Sequence, residues 1–266
     1  MPPKDSQKPS DVARLVALGA SNLTLGLSSL LTTARGAFGP EVEVLAALGY
    51  GRSYGAPSTI AIRTLPGILE CGLWRELETR TQGRTQGKTR GLITDVGNDI
   101  LYGVPSRQIL AWVKEAADRL RGHMDDVVLT DIPRASIRRL SPATFLFFRT
   151  VFFPPCRLSR DEVFERVDEV NEGLAKLARS MSLRFVQQNP DWYSLDPIHI
   201  RPGAWPTAWQ EIVGDSSGIE RPERFSPLEL ARLHLLPPER RFLMGVEQKV
   251  PQSGRKLRRG GLLWIY

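Results

Sequence analysis

Five short apolar runs, two of them ending in glycine and most followed by a helical pattern, leave few folds open to this chain. Residues 12–19 (VARLVALG), 41–49 (EVEVLAALG), 91–96, 126–132 (DVVLTDI) and 183–188 read as strands. Between them, 21–35 reads as a helix and 57–77 as a mixed, partly helical stretch. In 106–121 the residues Ile109, Leu110, Val113, Ala117 and Leu120 share one helical face. Ser159 and Glu162 form a capping box that starts a helix reaching Met181, and 203–213 reads as another helix. Strands alternating with helices predict an α/β fold, a three-layer α/β/α sandwich around a five-stranded parallel sheet.

The 266 residues, 41% of them hydrophobic, suffice for one full core without a disulfide or metal staple. Cys71 and Cys156, the two cysteines, read as buried small residues, and three scattered histidines offer no metal-ligand pair. Neither metal nor cofactor is expected. The polar N-terminal stretch lacks the apolar core of a signal peptide, and no stretch reaches bilayer length. A cytoplasmic protein without a membrane span is therefore the expectation, with 1–11 a disordered N-terminal segment. The formal charge of +7 is concentrated in 75–90 and 249–259, with no interleaved aromatics of the kind that stack on single-stranded nucleic acid. Solvated basic loops are expected there, and nucleic acid is not an expected partner.

In a parallel sheet the residues just past each strand gather on one edge, where open α/β sheets bind ligands. Past the first strand stands Gly19-Ala20-Ser21-Asn22, past the second Gly49-Tyr50-Gly51-Arg52-Ser53, past the third Gly97-Asn98-Asp99, and past the fifth Asp196-Pro197-Ile198-His199. A serine opening a helix can be a cap or a nucleophile. Gly51 can serve a tight turn or bring backbone N–H close to a ligand, and Asn98 can cap a helix or donate to an oxyanion. Asp196 stands three residues before His199, close enough within a turn to fix the imidazole tautomer. His123, after a helix end, and His234, in the tail, read as structural.

These four blocks together resemble the SGNH (GDSL-type) hydrolases, whose blocks supply serine, glycine, asparagine and histidine in that order. The resemblance spans 12–213 and implies a flavodoxin-like strand order and a serine esterase or acyl hydrolase acting on a small-molecule ester. It makes Ser21 the nucleophile, His199 the base and Asp196 its orienting acid. Ser21 N–H, Gly51 N–H and the Asn98 side chain would form the oxyanion hole. Acyl transfer by the same site, or a non-catalytic binding protein of the same fold, are the alternatives. Ala20 stands where the family usually has aspartate, and Val96 where the asparagine block usually has glycine.

Arg52 and Arg201, each beside a site residue, are candidate contacts for an anionic substrate group. Residues 133–158 carry Phe145, Phe147, Phe148, Phe152 and Phe153, an insertion that either packs on the body or forms a lid or acyl-chain wall. The 214–266 extension is expected to pack on the same domain, with a capping box at Ser226 and Glu229 and strands within 242–250 and 262–266. Two glycine patterns mislead. Residues 83–89 resemble a phosphate-binding loop but are one residue short and precede a strand. Gly49, Gly51 and Gly55 miss dinucleotide spacing and follow the second strand instead of the first.

Overall fold

The computed structural model describes residues 12–81, 86–194, 196–214 and 227–266. The expected disordered 1–11 and the capping serine Ser226 lie outside these residues, as does part of the 83–89 glycine pattern.

The first two strands, β1 (Val12–Leu18) and β2 (Glu43–Ala47), are joined by helices α1 (Ser21–Leu25) and α2 (Leu27–Phe38). The helical pattern of 21–35 thus divides at Gly26, where Trp209 packs so closely that a Cβ would sit 2.4 Å from its indole nitrogen. The mixed 57–77 stretch resolves into a hairpin, β3 (Ser58–Ile60) and β4 (Arg63–Leu65), followed by α3 (Leu73–Thr81). The next strand, β5 (Gln86–Ile93), starts earlier than the apolar run alone suggests and leads to α4 (Asn98–Leu101) and α5 (Ser106–Arg121). After β6 (Asp126–Thr130) come α6 (Arg134–Ile137), α7 (Pro142–Phe152) and the capped α8 (Arg160–Ser180). β7 (Arg184–Val186) and α9 (Trp205–Val213) follow. The tail forms α10 (Pro227–His234), β8 (Arg240–Leu243), β9 (Val246–Lys249), β10 (Arg255–Lys256) and β11 (Leu262–Ile265).

The main sheet has the order β10-β11-β2-β1-β5-β6-β7. Its strands β2-β1-β5-β6-β7 are parallel and reproduce the expected five-stranded order. The sheet nevertheless has seven strands, not five, because the tail returns to it. β11 pairs parallel to β2, and β10 pairs antiparallel to β11. The apolar Leu262-Leu263-Trp264-Ile265 run covers an edge that β2 would otherwise expose, which removes an unpaired row of N–H and C=O groups. β8 and β9 instead join the β3–β4 hairpin in a small antiparallel sheet, β3-β4-β8-β9. Met244 and Gly245, both at positive φ, make the turn between β8 and β9.

Strand alternation assigns the two cores. Val16, Leu18, Leu45 and Ile93 face α3, α5 and α8, while Leu15, Ala17, Val44, Leu92 and Val128 face α2 and α9. Both faces are covered, which is why β1 and β2 read as nearly continuous apolar runs. Arg14 of β1 is the exception. It lies opposite Glu43 of β2 in register, 1% exposed, and its Nε and Nη2 donate to Glu43 Oε2 at 3.1 and 2.7 Å. No helix among the described residues is long and apolar enough to cross a membrane.

Glu43→Gln removes the charge that compensates the buried guanidinium while keeping the side chain's shape. We expect urea unfolding to report a loss of about 3–5 kcal/mol, since a buried pair broken at one partner strands the other.

Candidate active site

Ser21 opens α1 directly beyond β1, so its backbone N–H belongs to the first turn, where no intrahelical acceptor exists. Ala20, at the cap position, has no side-chain oxygen with which to serve that turn. A carboxylate from the third parallel strand takes over. Asp95 Oδ2 accepts from Ala20 N at 2.8 Å and from Leu23 N at 3.0 Å. Asp95 holds a left-handed backbone conformation, φ 58°, a conformation costly for a non-glycine residue and most tolerable for Asp or Asn. The first turn of α1 is thus capped by a carboxylate from far along the chain.

Asn22 joins the serine turn to the histidine loop. Its Nδ2 donates to Asp95 Oδ1 and to Ile198 O, each at 2.9 Å, and its Oδ1 accepts from Ile200 N at 2.8 Å. Both chain neighbours of His199 are therefore gripped by the residue next to Ser21. Within the loop, Asp196 Oδ1 accepts from Ile198 N and His199 N at 3.1 and 3.2 Å, and Asp196 Oδ2 lies 2.7 Å from His199 Nδ1. Partial burial works against the Asp196 charge, but these hydrogen bonds and the imidazole outweigh it and hold the carboxyl below its ordinary pKa. An ionised Asp196 fixes Nδ1 as the donor and leaves Nε2 as the acceptor nitrogen of the ring.

The glycine and asparagine blocks are tied to each other in the same way. Tyr102, which ends α4, donates its hydroxyl to Gly51 O at 2.6 Å. Gly51 is buried at φ 61°, and a Cβ there would meet Ile60 at 2.8 Å, so glycine is required. Asp99, next to Asn98 and fully buried, accepts from Tyr54 N at 3.0 Å. Burial pushes its pKa up to about 6, opposed by hydrogen bonds from Ser53 and Tyr54. Tyr54 in turn donates its hydroxyl to Thr94 O at 2.7 Å, closing the link to the third strand.

One cavity, of about 950 Å³ counting its open mouth, collects Ser21, Asn22, Asp95, Gly97 and Asn98 at its polar end. Its remaining wall is mostly apolar and comes largely from the insertion, Ile137, Leu140, Phe145, Phe148, Phe152 and Phe153, with Arg149 and Gln188 among the polar exceptions. Ile198, the chain neighbour of His199, lines the cavity, whereas His199 and Gly51 are not among its lining residues. Asp131, past the fourth strand, also reaches the cavity; burial raises its pKa to about 6, against hydrogen bonds that include one from Gln188 N at 2.8 Å.

Arg52 must be withdrawn as a substrate contact. It is 0% exposed and donates to the carbonyls of Pro66, Leu48 and Tyr266, locking the tail against the second loop. Arg201 is exposed, with Nε on Asp191 O at 3.2 Å, and it does not line the cavity. His234 lies 3.2 Å from the Tyr50 hydroxyl, outside the cavity. Asn22, Asp95, Asp99 and Asp131 are the residues that motif reading passed over. The signal for three of them was a polar residue immediately after a strand or beside a block residue.

Replacing Asn22 by alanine frees the histidine loop. The expected result is a fall of roughly 10²-fold in kcat with little change in KM, the scale of a small misplacement of catalytic groups. For Asp99 the folded pKa of about 6 lies above the ordinary 3.8, so the folded state holds the proton more tightly. Stability therefore falls as pH rises through that interval. Urea titrations should show wild type losing up to about 3 kcal/mol relative to Asp99→Asn between about pH 4 and 6. A parallel pH dependence in both proteins would contradict this.

No family model matches the chain, and no curated protein matches it significantly. Solved structures similar to it include a carbohydrate acetylesterase family member from Sinorhizobium meliloti, at 13% identity and a TM-score of 0.49 over 76% of this chain and 95% of that one. A lipolytic G-D-S-L family protein from Veillonella parvula is 11% identical, with a TM-score of 0.46 over 78% of this chain and all of the other, 100%. The psychrotrophic esterase EstA from a Pseudoalteromonas species is 11% identical, with a TM-score of 0.42 over 74% and 93%. The chain is thus similar to solved structures whose names carry the G-D-S-L and esterase descriptions.

Proposed function

We propose that the protein is a serine acyl hydrolase that cleaves carboxylic esters through an acyl-enzyme. The observation that carries this reading is the Asn22 clamp, which holds the Asp196–His199 pair against the turn bearing Ser21. Asn98, on the same cavity, supplies a side-chain donor at the right edge of the sheet.

His199 Nε2 takes the Ser21 hydroxyl proton as Ser21 Oγ attacks the ester carbonyl. Negative charge develops on the carbonyl oxygen and is met by Ser21 N–H, the Asn98 carboxamide and Gly51 N–H. Collapse expels the alcohol, protonated by the imidazolium, and leaves the acyl group on Ser21. Water, deprotonated by the same imidazole, then releases the acid and restores the serine. Asp196 steadies the imidazolium in both halves. The residues of the site account for every proton, so the scheme draws on no cofactor. The Phe-lined cavity supports an apolar acyl chain as the acid part of the substrate, because burying each methylene there is favourable by about 0.8 kcal/mol.

Kinetics on a series of p-nitrophenyl esters tests the reading. Wild type should hydrolyse them with kcat/KM rising from acetate towards longer acyl chains. Ser21→Ala should lower the rate by roughly 10⁴–10⁶-fold and Asn98→Ala should lower kcat by roughly 10²–10³-fold. Turnover that survives Ser21→Ala would exclude this mechanism.

A further inference from the structure

Helix α7 is largely apolar yet mostly uncovered. Phe145 is its one buried residue among the eleven, and Phe148 and Phe152 line the cavity. On the outer side Leu146, Phe147 and Val151 are 52, 59 and 52% exposed, and Phe152 is 44% exposed. A largely apolar helix is ordinarily buried, and a contiguous exposed apolar surface marks a contact with something else.

Charge identifies what that something is. Residues 132–160 hold six arginines, Arg134, Arg138, Arg139, Arg149, Arg157 and Arg160, and no acidic residue or lysine. Arg134 and Arg138 share Asp168 of α8, which neutralises only one charge of that pair. Arg160 lies 3.6 Å from Asp161, and Arg149 donates to Leu158 O at 2.8 Å. Arg139 and Arg157 stand exposed to either side of α7 in sequence. A second copy docked on this face by a two-fold axis would set arginines against arginines, an arrangement that like-charge repulsion disfavours. Apolar side chains bordered by arginines instead match an anionic lipid surface, with Phe and Leu entering the acyl boundary and the guanidinium groups held among the headgroups.

We infer that α7 and its flanking arginines dock the protein on the surface of an anionic bilayer, with the cavity beneath the same helix. The inference rests on the acyl-ester reading in one respect: Phe148 and Phe152 then line a continuous apolar route from the lipid surface to Ser21. α7 lies along the surface and does not span it, since its eleven residues fall well short of the roughly 20 that a bilayer needs.

Sedimentation with unilamellar vesicles of phosphatidylcholine, with and without phosphatidylglycerol, tests the docking, alongside hydrolysis of a short soluble ester. Wild type and Ser21→Ala should both bind the anionic vesicles and bind neutral ones far less, and added salt should weaken the binding. Leu146→Glu/Val151→Glu, whose positions do not line the cavity, should lower vesicle binding by at least about tenfold while soluble-ester turnover stays near wild type. Arg139→Gln/Arg157→Gln should weaken binding to anionic vesicles and leave the residual binding to neutral ones unchanged. Wild type that ignores anionic vesicles at low salt, or binding that survives both double variants, would overturn the proposal. So would a concentration-dependent dimer that Leu146→Glu/Val151→Glu dissolves. Vesicle binding without ester turnover would leave the docking standing and remove the hydrolase reading; turnover without binding would do the reverse.

Discussion

The side-chain amide of Asn22 is the interaction on which the site's geometry depends. A carboxamide offers one acceptor oxygen and two donor hydrogens, and all are engaged here with Ile200 N, Ile198 O and Asp95 Oδ1. The partners come from the third parallel strand and from a loop 176 residues further along the chain. Asn22 is only 7% exposed, so each bond is shielded from competing water and each partner would be costly to leave unsatisfied. Asp95 completes the arrangement. Its Oδ2 binds the turn at Ala20 N and Leu23 N while its Oδ1 orients Asn22, which ties the serine turn to the histidine loop.

The rest of the edge is built to the same plan. Asp99 and Tyr54 connect the second loop to the third strand, and Tyr102 holds Gly51 against α4. Each parallel strand thus ends in a side chain that reports its position to a neighbouring strand's loop. The sheet sets the loops within a few ångströms of one another, and these polar contacts fix the remainder. On the other side of the cavity the insertion supplies mostly apolar groups, with Arg149 the charged one among them, so the wall facing the polar end is predominantly apolar.

Much of this was legible in the residues themselves. Short apolar runs and period-3.6 patterns marked the five central strands and the helices between them, and the expected parallel sheet then implied that Ser21, Gly51, Asn98 and His199 share an edge. The tail was harder, because a four-residue apolar run such as 262–265 can form a hairpin or an added strand. Only the open edge of β2, a tertiary fact, decides between them. Arg52 misled for a related reason. Adjacency to Gly51 suggested a ligand, yet its guanidinium is turned inward onto three carbonyls that belong to distant parts of the chain. Asp95 was invisible as a cap because helix capping is read locally, and here the capping carboxylate comes from more than seventy residues away. The aromatic density of 133–158 was plain, but whether those rings faced the body or the cavity depended on where α7 lies.

The most direct measurement of the central claim is peptide mapping by mass spectrometry after exposure to a fluorophosphonate. Such a reagent reacts only with a hydroxyl activated by a base beside an oxyanion site. A single adduct on the peptide carrying Ser21, formed far more slowly in His199→Ala and in Asn22→Ala, is the predicted result. Native protein that takes up no label, or takes it up at another residue at a rate indifferent to Asn22, would contradict the account.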